Sequence, residues 1–180
     1  MSDCYLVLGA VGPDRKGLVL DVTRFLSERG GNIEDGQMSV LGGEFGVMLL
    51  VRASADGATR IERDAGELEK LTGTTVLLRR THSPKQHRQG ETMPCRVTLE
   101  SFDRAGLVSA FAEPVRELGI NIVSIETVAF EAPFSGTQLF RLEAELDVPR
   151  GVSLARLRES LASLTQEGGG DIEVRAIGRE

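Results

Sequence analysis

What this chain has little of narrows its chemistry first. It carries two cysteines, Cys4 and Cys95, each in an apolar run, with no Cys-x-x-Cys pair and no histidine at ligand spacing. That pattern offers neither a zinc site nor a disulfide framework, and the two thiols read as small buried hydrophobes in a reducing compartment. No run approaches the ~20 apolar residues that cross a bilayer. The amino terminus lacks a basic stretch followed by an apolar one, so no export signal is read. The expectation is a cytoplasmic protein without membrane contact. Positive charge is also short, with 21 Lys and Arg against 27 Asp and Glu and a net charge of −6. Direct nucleic-acid binding normally needs a basic face to neutralise phosphates, and no helix-turn-helix pattern is present. Contact with a protein that itself binds DNA is compatible with this balance.

The usual signs of catalysis are missing from the sequence as well. There is no GxxxxGK phosphate loop, no nucleophile and base with a third group to orient them, and no cluster of metal ligands. The two histidines, His82 and His87, lie in or near a polar stretch with nothing close in sequence to orient their rings, and read as solvated. The expectation is a non-enzymatic protein with no catalytic residue, no metal and no cofactor.

What is present is a duplication. The stretch from Gly12 to Met38 returns 89 positions later without a gap. Asp14-Arg15 becomes Asp103-Arg104, Gly17-Leu18-Val19 becomes Gly106-Leu107-Val108, and Gly30, Asn32 and Ile33 become Gly119, Asn121 and Ile122. A repeat spaced at half the chain length means two similar domains, not a solenoid. The expected boundaries are a first domain over 1–82, a polar linker over 83–93 and a second domain over 94–180.

Within the first copy, Cys4 to Val11 is a short apolar strand ended by Gly12-Pro13. Leu18, Val22, Phe25 and Leu26 fall at helical spacing before Gly30-Gly31. Asp14, just ahead of that helix, is placed to accept its free first-turn amides. Residues 32–41 and 45–53 form a hairpin around Gly42-Gly43, with a bulge expected at Gly36. Ile61, Ala65, Leu68 and Leu71 stripe a second helix, and 74–81 is the last strand. The second copy repeats this order, with Pro114 inside its first helix, where a kink is expected, and Ser153 capping its second. The result is an α+β protein of two βαββαβ units, each a four-stranded antiparallel sheet with both helices on one face. Strands one and three, the most apolar, belong in the centre.

The copies differ in one respect. In the first, both faces of strands one and three are apolar; in the second, one parity is polar, with Arg96, Thr98 and Glu100 on strand one and Arg141, Glu143 and Glu145 on strand three. Helices cover only one side, so the first sheet is expected to expose an apolar face, which another chain or another part of this one would cover. A homodimer is the expected form.

The pattern Gly12-Pro13-Asp14-Arg15-x-Gly17-Leu18-Val19 followed by Gly30-Gly31-Asn32-Ile33 resembles an ACT domain. Two such domains filling the chain, with Asn32 through Met38 and Leu41-Gly42-Gly43-Glu44-Phe45, resemble the glycine cleavage system transcriptional repressor family. The second copy keeps Phe102-Asp103-Arg104-Ala105-Gly106 but has Gly119-Ile120-Asn121 in place of the double glycine. The resemblance implies a regulator without its own DNA-binding domain, acting by contact with a DNA-binding activator. It also implies a small amino-acid ligand, glycine being the first candidate, held where ACT domains meet.

The candidate ligand residues are Gly12, Asp14, Gly17, Leu18 and Asn32, with Asp103, Gly106 and Asn121 as the second set. Amides near Gly17 and Leu18 would receive a carboxylate, Asp14 an ammonium group, and Asn32 could bridge a zwitterion. Each has an equally open structural reading: Asp14 as a cap, Asn32 as turn chemistry, Gly17 as a packing aid. In the second copy the structural reading is preferred, because Phe102 replaces the proline. Arg15 and Arg104 are read as solvated or as partners of helix-end acids. Two other classes remain: a ligand-free dimerising adaptor, and a regulatory module of an enzyme, since formyltetrahydrofolate deformylase begins with a similar Pro-Asp-Arg-x-Gly stretch.

Overall fold

A computed structural model describes residues 3–83, 91–133, 135–166 and 169–178. The chain divides into two compact units, 1–89 and 90–180. The first runs β1 (Cys4–Pro13), α1 (Leu18–Glu28), β2 (Asn32–Leu41), β3 (Glu44–Ala53), α2 (Ala55–Arg63), α3 (Ala65–Thr72) and β4 (Thr75–Thr81). The second runs β5 (Thr92–Phe102), α4 (Leu107–Glu117), β6 (Asn121–Glu131), β7 (Gln138–Pro149), α5 (Leu154–Leu161), α6 (Ser163–Gln166) and β8 (Asp171–Ala176). His87 and most of the expected linker lie outside the described residues, and β5 begins at Thr92, inside that linker's expected span.

Both sheets are antiparallel, ordered β2-β3-β1-β4 and β6-β7-β5-β8. The apolar strands are central, as their patterning requires. In the first unit the inward parity of β1 and β3 (Leu6, Leu8, Ala10; Val47, Leu49, Val51) packs on Leu18, Val22, Phe25 and Leu26 of α1 and on Ile61 and Leu68. The second core repeats this with Cys95, Val97 and Leu99 against Phe111, Val115, Leu157 and Leu161. Burying a Leu or Phe of this kind is worth about 1.5–3 kcal/mol each, so these stripes hold the helices to the sheets.

Local expectations needed correction in four places. The second helix of the first unit is two helices meeting at Asp64, whose carboxylate takes Arg29 Nε from the end of α1 at 2.9 Å and Arg63 Nε at 2.6 Å. The chain turns where those ion pairs hold it. Leu71 is accordingly exposed, and Thr72 fills the buried position, its hydroxyl donating to Leu68 O at 2.7 Å. The bulge in β2 falls at Glu34, between Ile33 and Asp35, not at Gly36. Gly36 is needed for another reason: a Cβ there would run into the Leu49 side chain. Asp14 does not cap α1. The cap position is Gly17 at φ 91°, with no side-chain acceptor, and Asp14 instead donates its backbone N–H to Gly43 O at 3.0 Å. Ser153 does cap α5, accepting from Arg156 N at 3.2 Å, and Pro114 lies inside α4.

Candidate functional site

The first candidate corner is the β1–α1 loop. The chain leaves β1 at Pro13, turns through Asp14, Arg15 and Lys16, and enters α1 through a left-handed residue, a conformation glycine adopts without steric cost. Gly106 enters α4 the same way at φ 88°. Around Gly17 the space is open, an added Cβ meeting only Arg15 Nη1 at 3.9 Å, so its backbone conformation, not crowding, calls for glycine. Gly12 is the reverse case. It is buried, and a Cβ there would lie 2.8 Å from Thr74 Cα and 2.9 Å from Gly73 O. The room Gly12 leaves is filled by the α3–β4 turn. Leu18 is a core residue, 1% exposed. Among the first-copy candidates at this corner, Asp14 alone presents a charged side chain to solvent.

Arg15 closes the corner from above. Its Nη2 donates to Asp21 Oδ2 at 2.8 Å and to Leu71 O at 2.9 Å, and Nη1 to Lys16 O at 3.3 Å. One guanidinium thus neutralises the acid in the first turn of α1 and caps a carbonyl at the end of α3. Beneath it, the buried hydroxyls of Thr72 and Thr74 share a hydrogen bond of 2.7 Å.

Asn32 belongs to a different place. It opens β2 opposite Arg52, which pairs with Tyr5, whereas Asp14 follows Pro13 at the other end of β1. At about 3.3 Å per strand residue, the two lie roughly 30 Å apart within one unit. Asp103 and Asn121 are separated in the same way, Asn121 lying level with Pro94 across Asp147. A single unit therefore does not bring its acidic loop and its asparagine together around one small zwitterion.

Asn32 borders an open groove between α1 and β2, lined by Leu20, Thr23, Arg24, Ser27, Gly31 and Ile33. Its Nδ2 donates to Glu34 Oε1 at 3.1 Å, and Arg52 Nε donates to the same oxygen at 2.6 Å. Arg52 Nη1 also lies 3.6 Å from Asp3 Oδ2. The hydrogen bond from Arg52, and then that from Asn32, hold the Glu34 carboxyl below its ordinary range. Glu34 in turn raises Arg52. This charged group was not legible in the sequence, because the pairing of β2 with β3 that sets Arg52 opposite Asn32 is decided by the tertiary fold. Among the described residues, no three His, Cys, Asp or Glu side chains are grouped as metal ligands, and no helix is long and apolar enough to cross a membrane.

Comparison with known proteins agrees with this architecture. The family model of the ACT domain matches residues 4–77. The glycine cleavage system transcriptional repressors of Escherichia coli K12 and Shigella flexneri are each 28% identical over 174 residues, covering 92% of this chain and 86% of theirs. A crystal structure of a protein of unknown function from Galdieria sulphuraria superposes with TM-score 0.83 at 29% identity, over 98% of this chain and 100% of that one. A crystal structure described as a candidate glycine cleavage system transcriptional repressor shares the fold, with TM-score 0.71 at 24% identity over 99% and 100% of the chains. The duplicated βαββαβ unit, its left-handed glycine helix entries and these end-to-end likenesses make the chain similar to the glycine cleavage system transcriptional repressors, with an ACT domain matched in its first unit.

Proposed function

We propose that this protein is a non-enzymatic, amino-acid-responsive regulator that acts by contact with a DNA-binding activator of glycine cleavage genes, as a homodimer. The observation that carries the reading is the likeness to the repressors of E. coli and S. flexneri over nearly the whole length of both chains, which involves both ACT units and not one borrowed module. The net charge of −6 supports action through a protein partner in preference to direct phosphate contact.

The ligand is a small amino acid, glycine first. The first unit carries two half-sites at opposite ends of its sheet, the Asp14 loop and the Asn32 groove, so that unit alone does not close around the ligand. Asp14 takes the ammonium group. The remaining N–H of Asn32, whose other N–H is given to Glu34, donates to the carboxylate, and its Oδ1 accepts from the ammonium group.

Isothermal calorimetry of the full chain with glycine and the other common amino acids tests this, repeated on the Asp14→Ala, Asn32→Ala double variant. The expected result is saturable heat with one small amino acid, lost in the double variant. Absence of heat with every amino acid, or unaltered binding in the variant, defeats it. A second reading, a ligand-free adaptor, is favoured by the spending of Gly12 on the α3–β4 turn and of Leu18 on the core. Under that reading calorimetry is silent while capture of the activator from cell extract persists.

A further inference from the structure

The outer face of the first sheet, opposite its helices, is laid out in rows that can be read across the four strands. One row is Asp35–Leu50–Val7–Arg79 in the order β2-β3-β1-β4, and the next is Gln37–Met48–Gly9–Leu77. A third is Ser39–Gly46–Val11–Thr75. Met48, Val11 and Leu77 are 57%, 58% and 70% exposed, so the middle of the face is apolar and uncovered. Asp35 and Arg79, at opposite ends of one row, are both exposed, and neither forms an ion pair among the described residues. The neighbouring arginines do: Arg52 with Glu34 and Asp3, Arg80 with Glu62. The corresponding face of the second sheet is different in kind, with Arg96 bound to Glu145 and Arg141 to Glu100, each at 2.6 Å.

We propose that this face docks onto the same face of a second copy, about a two-fold axis that runs along the strands midway between β1 and β3. The proposal rests on the homodimer part of the reading above and not on the ligand. A rotation about that axis keeps each residue at its own level along the strands and exchanges β2 with β4 and β3 with β1. Asp35 of each copy then faces Arg79 of the other, giving two symmetric ion pairs at the rim. In the next row Met48, which protrudes, faces the hollow at the partner's Gly9. In the third, Val11 faces the partner's Gly46. Large thus meets small in both rows, and acid meets base at the ends, which is the self-complementarity that a two-fold interface requires. Face-to-face sheets pack about 10 Å apart with strands within about 30° of each other, so the rows stay opposed across the centre.

The size is sufficient. Four strands about 4.8 Å apart and about eight residues long project roughly 500 Å² per copy. The pair then clears the ~1,000 Å² total expected of a specific interface, before side-chain relief is counted.

Sedimentation equilibrium of the full chain tests this, with Asp35→Arg and Arg79→Asp made singly and together. Wild type is expected to be a dimer. Each single variant places like charges at both rims and is expected to associate at least about tenfold more weakly. Equimolar mixing of the two single variants restores opposite charges at both rims, and is expected to give a one-to-one heterodimer. The double variant is expected to dimerise by itself. Circular dichroism confirms that each variant is folded. A monomeric wild type overturns the homodimer and this face together. A dimer indifferent to both substitutions, or single variants that dissociate but do not recombine on mixing, overturns this face alone.

Discussion

Gly12 sits in the glycine-rich stretch that suggests a ligand corner, yet its surroundings assign it to folding, and the difference is measurable. In Gly12→Ala the new methyl would stand 2.8 Å from Thr74 Cα and 2.9 Å from Gly73 O, closer than non-bonded atoms settle. Both neighbours are backbone, in a turn fixed by Gly73 N donating to Glu69 O at 2.8 Å and by the Thr72–Thr74 hydroxyl pair. Relief therefore requires moving the end of α3 away from β1. Overpacking of this kind costs typically 1–3 kcal/mol, and rigid neighbours put this site at the upper end, about 3 kcal/mol. For a unit of this size that lowers the melting temperature by roughly 12–24 °C, at about 4–8 °C per kcal/mol. Gly66→Ala is the matched control. It lies in α3 with nothing within 4 Å of the added methyl and no positive φ, so the same substitution is expected to stabilise by about 0.5–1 kcal/mol. Guanidinium denaturation followed by far-ultraviolet circular dichroism reads both. A Gly12→Ala variant within about 0.5 kcal/mol of wild type would refute the packing argument and return Gly12 to the ligand.

Three further outcomes follow from the contacts. Glu34 is held below its ordinary range by Arg52, so the stability from this pair is present above the unfolded carboxyl's pKa and is lost as pH falls through the folded one. Arg52→Ala should move the Glu34 titration, followed by carboxyl-carbon NMR, back towards the ordinary range; an unmoved midpoint would discard Arg52 as the cause. Ser153→Ala removes the acceptor for Arg156 N and should cost the second unit about 1 kcal/mol in denaturant, an effect absent if the α5 entry is held by other contacts. Cys95 is fully buried, its thiol pushed up by desolvation and lying 3.1 Å from Arg175 O, while Cys4 is half-buried. A thiol reagent at pH 8 should therefore label Cys4 in the native protein and Cys95 only on unfolding; rapid native labelling of both would contradict the second core.

The duplicated fold was determined by the sequence itself. Period-2 apolar strands, helical stripes and glycine stops recur at a fixed offset, and these are local signals that tertiary context had no reason to override. The apolar outer face was legible for the same reason, because alternation shows which parity of a strand is polar. What only the tertiary structure decided lies where distant segments meet. Arg29, from the end of α1, pairs with Asp64 where the second helix is interrupted; the α3–β4 turn occupies the space beside Gly12; and Asn32 and Arg52 share the one carboxylate of Glu34. Asp14 and Asn32, close in any motif, end up at opposite ends of a sheet because α1 lies between them and carries the chain back to the level where β1 began. Spacing along the chain fixes which elements form; separation in space depends on how long those elements are and where they turn back.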